Sequence, residues 1–458
     1  MMRRLFLLVP LGLALSACQP LLTTTGAWSR QPSPPVSTSS SHVVATANGR
    51  VVVLGGFNPQ TGEPLEQTVV FEPASSRWTD AAPIPEPRGA DVAVPLADGT
   101  VLVTAGQGGN GVLHQLYRST WIFDPSRNRW NRVGDLRTAR LNPSAVRLSD
   151  GRVLLVGGSV VREDLAPAGA GQDPYQAVAS AELYDPSVKT WSTAGDLSLA
   201  RNGLALVALT HGGALAVGGC SFRQTQPGFS ALADADVFSP VTSRWASTRP
   251  LPEPRCAPST VGMPDGRALV IGGIVDQPNG FGTSPGALLF DSRLGSWASA
   301  GSPIGSGGLP LGGPGGIAPP TAAAVLLRDG RVFLPAIQAG PMRGRVTTTI
   351  VGGQLFDPST GAWAFATSTA ADFASRFGDP TPVPVALPSG RVVVLLDTVA
   401  LGFDPEGRPP AGQALASLSL TWLILGLDGG LLMLLVISLL RGRRAWKRRS
   451  TPMPLDNR

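Results

Sequence analysis

Short apolar runs, each the length of a β-strand, recur along most of this chain and are separated by glycine, proline and aspartate. Runs of that length between turn signals predict strands rather than helices. A turn signal precedes each run: Asn48-Gly49, Asp98-Gly99, Asp150-Gly151, His211-Gly212, Asp265-Gly266, Asp329-Gly330 and Ser389-Gly390. Asn-Gly and Asp-Gly suit the left-handed backbone of tight hairpins, so each pair predicts a hairpin. The apolar strand that follows usually ends in two glycines, at Gly55-Gly56, Gly157-Gly158, Gly218-Gly219 and Gly272-Gly273. The run after Asp98 ends in Ala105-Gly106, and the last two runs lose the pair. Such a pair removes side chains where strands crowd near an axis.

A second hairpin follows each of these. Tryptophans stand at 28, 78, 130, 191, 245, 297 and 363, and six of them have an aromatic seven residues earlier: Phe71, Phe123, Tyr184, Phe238, Phe290 and Phe356. Most of these aromatics lead into Asp-Pro or a relative, as in Phe123-Asp124-Pro125. A strand ending in an aromatic, a proline turn and a returning strand with tryptophan make one hairpin. Each repeat of about fifty residues therefore holds four antiparallel strands.

Four strands, glycines closing the second, an aromatic on the third and a tryptophan on the fourth resemble the kelch repeat over about residues 26–404. The resemblance implies an all-β, seven-bladed β-propeller. The last repeat has its third strand at Leu401-Gly402-Phe403-Asp404-Pro405 but no tryptophan at 410, while Trp28 has no repeat of its own. An N-terminal strand carrying Trp28 is expected to complete the last blade, which removes an exposed sheet edge. Strand parity then divides the faces. Turns between strands a and b and between c and d share one face and are short. The long segments 107–118, 159–180, 220–233, 274–285, 337–349 and 301–320 share the other. Both chain ends are expected to leave from the short-turn face.

Composition changes this picture mainly at the termini. The chain has 56 Gly and 43 Pro in 458 residues, 43% hydrophobic residues, 15% charged residues and a formal charge of +6. Nine of its 37 basic residues lie near the ends, leaving 28 basic against 29 acidic side chains between 19 and 414. A core that is not basic lacks the electrostatic drive for nucleic acid, so no nucleic-acid partner is expected. Residues 1–18 combine Arg3 and Arg4 with a short apolar run, a secretory signal layout. They end in Leu15-Ser16-Ala17-Cys18, which resembles the lipobox of bacterial lipoproteins and implies lipidation of Cys18; ordinary cleavage near Ala17 is the alternative. After a linker at 405–414, residues 415–440 are long and apolar enough for a transmembrane helix, with fourteen Leu, Ile or Val between 418 and 440. Six basic residues follow by 449, so the tail 441–458 is expected in the cytoplasm and the propeller, tethered through linker 19–25, outside. Asp428 lies between Gly426 and Gly430, a spacing that suits a transmembrane helix partner; a protonated acid tolerated in an apolar helix is the other reading.

Cys220 and Cys256 remain as a pair in an oxidising compartment, on one face and in neighbouring blades, and are the candidate disulfide. Arg88, Arg140, Arg201 and Arg255 each stand ten residues before their turn, at the start of the innermost strand on the long-loop face; Thr38, Pro319 and Asp379 fill that place elsewhere. Guanidinium groups there suit an acidic protein or carbohydrate ligand, or else bond the carbonyls of neighbouring strands. The galactose oxidase family, which the propeller also resembles, implies a copper site of a cross-linked Tyr, a second Tyr and two His. Here His42 and His114 lie toward the loop face, His211 lies in a turn on the other, Tyr184 is a strand aromatic, and Tyr117 and Tyr175 lie in loops, so no cofactor is expected. Glu163, Asp164 and Asp173 are loop acids that keep a metal-free sugar enzyme open, but no acid–base pair is placed. The leading expectation is a non-catalytic, membrane-anchored module that binds a protein or glycan on its long-loop face. A mutarotase-like enzyme and a structural envelope protein are the alternatives.

Overall fold

A computed structural model describes residues 26–407 apart from 39–40, 59–60, 90, 110–114, 163–174, 223–228, 278–279, 304–322, 344–345, 368 and 374–381. Residues 1–18 with Cys18, the apolar segment 415–440 with Asp428, and the tail 441–458 lie outside the described residues. No helix among the described residues is long and apolar enough to cross a membrane.

Seven antiparallel sheets make up the fold: blade 1 (42–80), blade 2 (92–133), blade 3 (144–196), blade 4 (205–247), blade 5 (259–299), blade 6 (325–365) and blade 7 (383–404 with 27–31). The four strands of each blade are called a to d from the centre outward. Strands a of neighbouring blades touch one another around a closed ring, blade 7 meeting blade 1. Strands b are buried on both faces because each blade is covered on both sides. The core is thus divided into apolar clusters between blades. Leu154 and Val156 of blade 3 meet Ala216 and Phe238 of blade 4, and Val51 and Val53 of blade 1 meet Val393 and Leu395 of blade 7.

Blade 7 closes the ring. Its outer strand, Ala27–Gln31, pairs antiparallel with Val399–Asp404, placing Trp28 opposite Phe403 and Ala27 opposite Asp404. Each of the six other aromatic–tryptophan pairs also sits directly across strands c and d. Ring centroids lie 4.9–5.3 Å apart in blades 1 to 6 and 4.9 Å apart for Trp28 and Phe403. In several of these pairs the indole N–H reaches a carbonyl of the preceding blade: Trp130 donates to the Ala82 carbonyl, Trp297 to Arg249 and Trp363 to Ala300, each at 2.8 Å. Trp28 does the same to the Thr367 carbonyl of blade 6 at 2.6 Å.

The structure revises the expected hairpin turns. At each one only the glycine has positive φ, between 85° and 96°, and the preceding Asn, Asp, His or Ser does not. These are type I turns followed by a left-handed glycine, a bulged form rather than the two-residue one. Aspartate acts there as an acceptor: Asp98, Asp150, Asp265 and Asp329 each accept the N–H two residues on at 3.0 Å. The long segments also differ from simple loops. Four form two-stranded ribbons: Gln107–Gly108 with Gln115–Leu116, Ser159–Val161 with Tyr175–Ala177, Cys220–Phe222 with Phe229–Ala231, and Ile274–Gln277 with Gly280–Thr283. In blade 6, strands b and c themselves run on as Val332–Arg343 and Val346–Asp357, and Thr369–Phe373 adds to their edge.

Candidate functional site: the long-loop face

The long-loop face is organised by the residues where each strand a begins. Arg88, Arg140 and Arg201 are 0% exposed and Arg255 is 3% exposed. Their backbones and side chains do separate jobs. The Arg88, Arg140, Arg201 and Arg255 carbonyls accept N–H groups of Gly56, Gly106, Gly158 and Gly219, which end strand b of the preceding blade. Their guanidinium groups turn into their own blade. Arg140 Nη1 donates to the carbonyls of Gly157 at 3.2 Å and Ser180 at 2.8 Å, and Nη2 reaches Glu182 at 2.8 Å. Arg88 donates to the carbonyls of Ala105 and Ser119 and to Glu86 at 2.5 Å, with the Tyr117 ring 4.8 Å away. Arg255 takes the carbonyls of Gly272 and Gly286 and lies 3.4 Å from Glu253. Arg201 meets Asp236 at 2.8 Å and the Leu199 carbonyl at 3.3 Å. Burial pushes the guanidinium groups of Arg88, Arg140 and Arg255 below their ordinary value, against the pull of nearby carboxylates. The four arginines are thus brought to one face, but as fasteners with almost no solvent-facing surface.

This geometry explains the paired glycines better than crowding at the axis. Gly157 and Gly158 have φ of 65° and 86°, and Gly218 and Gly219 have 62° and 119°. A Cβ on Gly218 would stand 2.3 Å from the Arg255 carbonyl oxygen, and one on Gly157 would stand 2.6 Å from that of Arg201. The chain needs a left-handed bend there and has no room beside it.

The carboxylate partners were not singled out from the sequence, although a signal exists. Glu86 and Glu253 precede their arginines in Glu86-Pro87-Arg88 and Glu253-Pro254-Arg255. Glu182 and Asp236 each stand two residues before a strand-c aromatic, Tyr184 and Phe238. Ser119, Trp121 and Arg88 all donate to Glu86. Partial burial opposes its ionisation, but the hydrogen bonds from Ser119 and Trp121 and the Arg88 charge hold its carboxyl below the usual range. A carboxylate held ionised in this way is a structural acceptor rather than a proton donor.

Cys220 and Cys256 form a disulfide with Cα atoms 5.0 Å apart, joining the blade 4 ribbon to the start of blade 5. Just outside it, Phe229 stacks on Phe281 of the neighbouring ribbon at 4.4 Å and 11°, and Phe281 is 51% exposed. His42 Nε2 lies 2.9 Å from Asp91, between blades 1 and 2. His211 lies in an a–b turn on the opposite face, 3.4 Å from Arg293 Nε. His114, Glu163, Asp164 and Asp173 lie outside the described residues. Among the described residues the two histidines occupy opposite faces, and Tyr184 is buried beneath Trp191. Among the described residues no group of three or more His, Cys, Asp or Glu could hold a metal.

These observations define a seven-bladed β-propeller, and comparison with known proteins finds a kelch motif within it. A family model described as Kelch motif matches residues 88–137, from Arg88 through the outer hairpin of blade 2. Beta-scruin of Limulus polyphemus is 26% identical over 264 residues, 54% of this chain and 26% of its own length. Kelch-like protein 35 of Mus musculus is 25% identical over 227 residues, covering 50% of this chain and 35% of its own. The chain thus spans about a quarter to a third of these relatives. Among solved structures, a fungal alcohol oxidase of the AA5 family in complex with copper aligns with a TM-score of 0.56 at 16% identity, covering 83% of this chain and 77% of its own. That likeness concerns the fold.

Proposed function

We propose that this protein is a non-catalytic binding module, held at a membrane outside the cytoplasm, that captures a protein partner on its long-loop face. The contrast between the two faces carries the reading. Short-turn hairpins are closed by their own side chains, as where Arg152 and Arg267 clasp Asp150 and Asp265. On the other face, ribbons stand above the blades, and the Phe229–Phe281 stack presents apolar surface beside a disulfide. Exposed aromatics on rigid supports are good anchors for a protein interface. In this reading the ligand contacts lie on the ribbons, and Arg88, Arg140, Arg201 and Arg255 position them. Likeness to kelch proteins supports a binding role. The membrane part rests on the sequence of the two ends, and the pairing of Ala27 with Asp404 places both exits side by side on the short-turn face.

Photo-crosslinking in cells tests this. A photoreactive amino acid at Phe281 in the intact chain should give one discrete adduct that protease digests and glycosidase leaves unchanged. A glycosidase-sensitive adduct would make the ligand a glycan. No adduct at Phe281, together with a discrete one from the short-turn residue Val188, would overturn the assignment of the face.

A further inference from the structure

The described residues include five large, exposed hydrophobic side chains, and three lie in the same turn of consecutive blades. Val188, Val241 and Leu294 are 63%, 93% and 74% exposed, and each caps the c–d turn of blade 3, 4 or 5. Scattered apolar residues on a surface need no explanation, but repetition at one turn on one face does. The turns hold these tips outward. Left-handed residues Lys189, Ser243 and Gly295 (φ 58°, 51° and 58°) close these turns, directly after Val188 and Leu294 and two residues after Val241. Asp185 and Asp291 turn inward to accept backbone N–H groups of Ser187 and Arg293 at 2.8 Å. Each turn carries or leads into an exposed cation: Lys189, Arg244 and Arg293.

Both chain ends leave from this face. Ala27 and Asp404 lie in blade 7, and in a ring of seven the opposite blades are 3 and 4. The apolar tips and the two exits therefore flank the short-turn face on opposite sides. An apolar turn residue with a cation in or next to the same turn suits the boundary between acyl chains and anionic headgroups.

We propose that Val188, Val241 and Leu294 form a second, non-covalent contact with an anionic bilayer, so that the propeller lies with its short-turn face against the membrane. This deepens the anchoring reading above and rests on it. An environment-sensitive fluorescent amino acid would be placed singly at 188, 241 and 294 of the full chain, and at Leu199 on the long-loop face as a control. Each protein would be reconstituted into vesicles containing phosphatidylglycerol and lipid-borne nitroxide. The expected result is blue-shifted, nitroxide-quenched emission at the three turn positions and aqueous, unquenched emission at 199, with quenching reduced in phosphatidylcholine vesicles. Co-flotation with all four positions aqueous would overturn the contact and leave anchoring standing. Failure to float with vesicles of either composition would overturn both.

Discussion

Arg140 begins a strand at the edge of a loop, yet its guanidinium is 0% exposed and divides its donors between two carbonyls and Glu182. Removing one member of a buried pair leaves the other charge uncompensated. Arg140→Met should therefore lower stability by about 3–5 kcal/mol in denaturant unfolding. An unchanged midpoint with weakened ligand binding would instead support direct recognition by the guanidinium. The register of these arginines was legible because they recur ten residues before a turn signal. Their partners were not, because Glu86 and Glu253 come from the residue two before the arginine, whereas Glu182 and Asp236 come from strand c. His42 carries a second prediction at this scale. Burial disfavours its charged form, and the carboxylate of Asp91 at 2.9 Å more than reverses this, raising its pKa above 6.5. A raised folded-state pKa gives stability that is fully present below pH 6.5 and is lost as pH rises through the raised value. The melting-temperature gap between the native chain and His42→Gln should shrink over that rise. A gap that is constant with pH would show that the charged pair adds nothing.

At the scale of elements, the paired glycines join blade to blade. In the pairs at 55–56, 157–158 and 218–219 the first glycine combines positive φ with close approach to the next blade's arginine carbonyl. Gly218→Ala should cost about 1–3 kcal/mol from backbone strain, before any clash with the Arg255 carbonyl. Thermal melting of this variant beside Gly330→Ala separates the two causes, since Gly330 has φ of 87° but nothing within 4 Å of the added methyl. Equal losses would leave crowding without a role. Blade strands were readable because burial on both faces demands continuous apolar runs. The ribbons were not, since they are held by backbone pairing above the core and have no apolar alternation to report them. Their Gly, Pro and polar content reads as loop, and so the Phe229–Phe281 stack was missed.

For the whole molecule, the count of seven was legible from one residue type: six tryptophans in complete repeats and a seventh, Trp28, left over. The closure gives Trp28 the strand-c aromatic that all its counterparts have and, like Trp130, Trp297 and Trp363, a carbonyl of the preceding blade. Trp28→Ala should destabilise the entire ring by about 3–5 kcal/mol. Because blade 7 packs on blades 1 and 6, the loss should appear as one lowered transition in calorimetry rather than as a separate early one. Two resolved transitions would show blade 7 unfolding alone. The division of labour between faces is the central claim, and hydrogen exchange tests it most directly. With the partner recovered from the Phe281 crosslink purified and added back to the intact chain, protection should appear across 220–231 and 274–283. Exchange in the turns at 186–189 and 240–243 should stay unchanged. Protection confined to those turns, with the ribbons unaltered, would contradict the account.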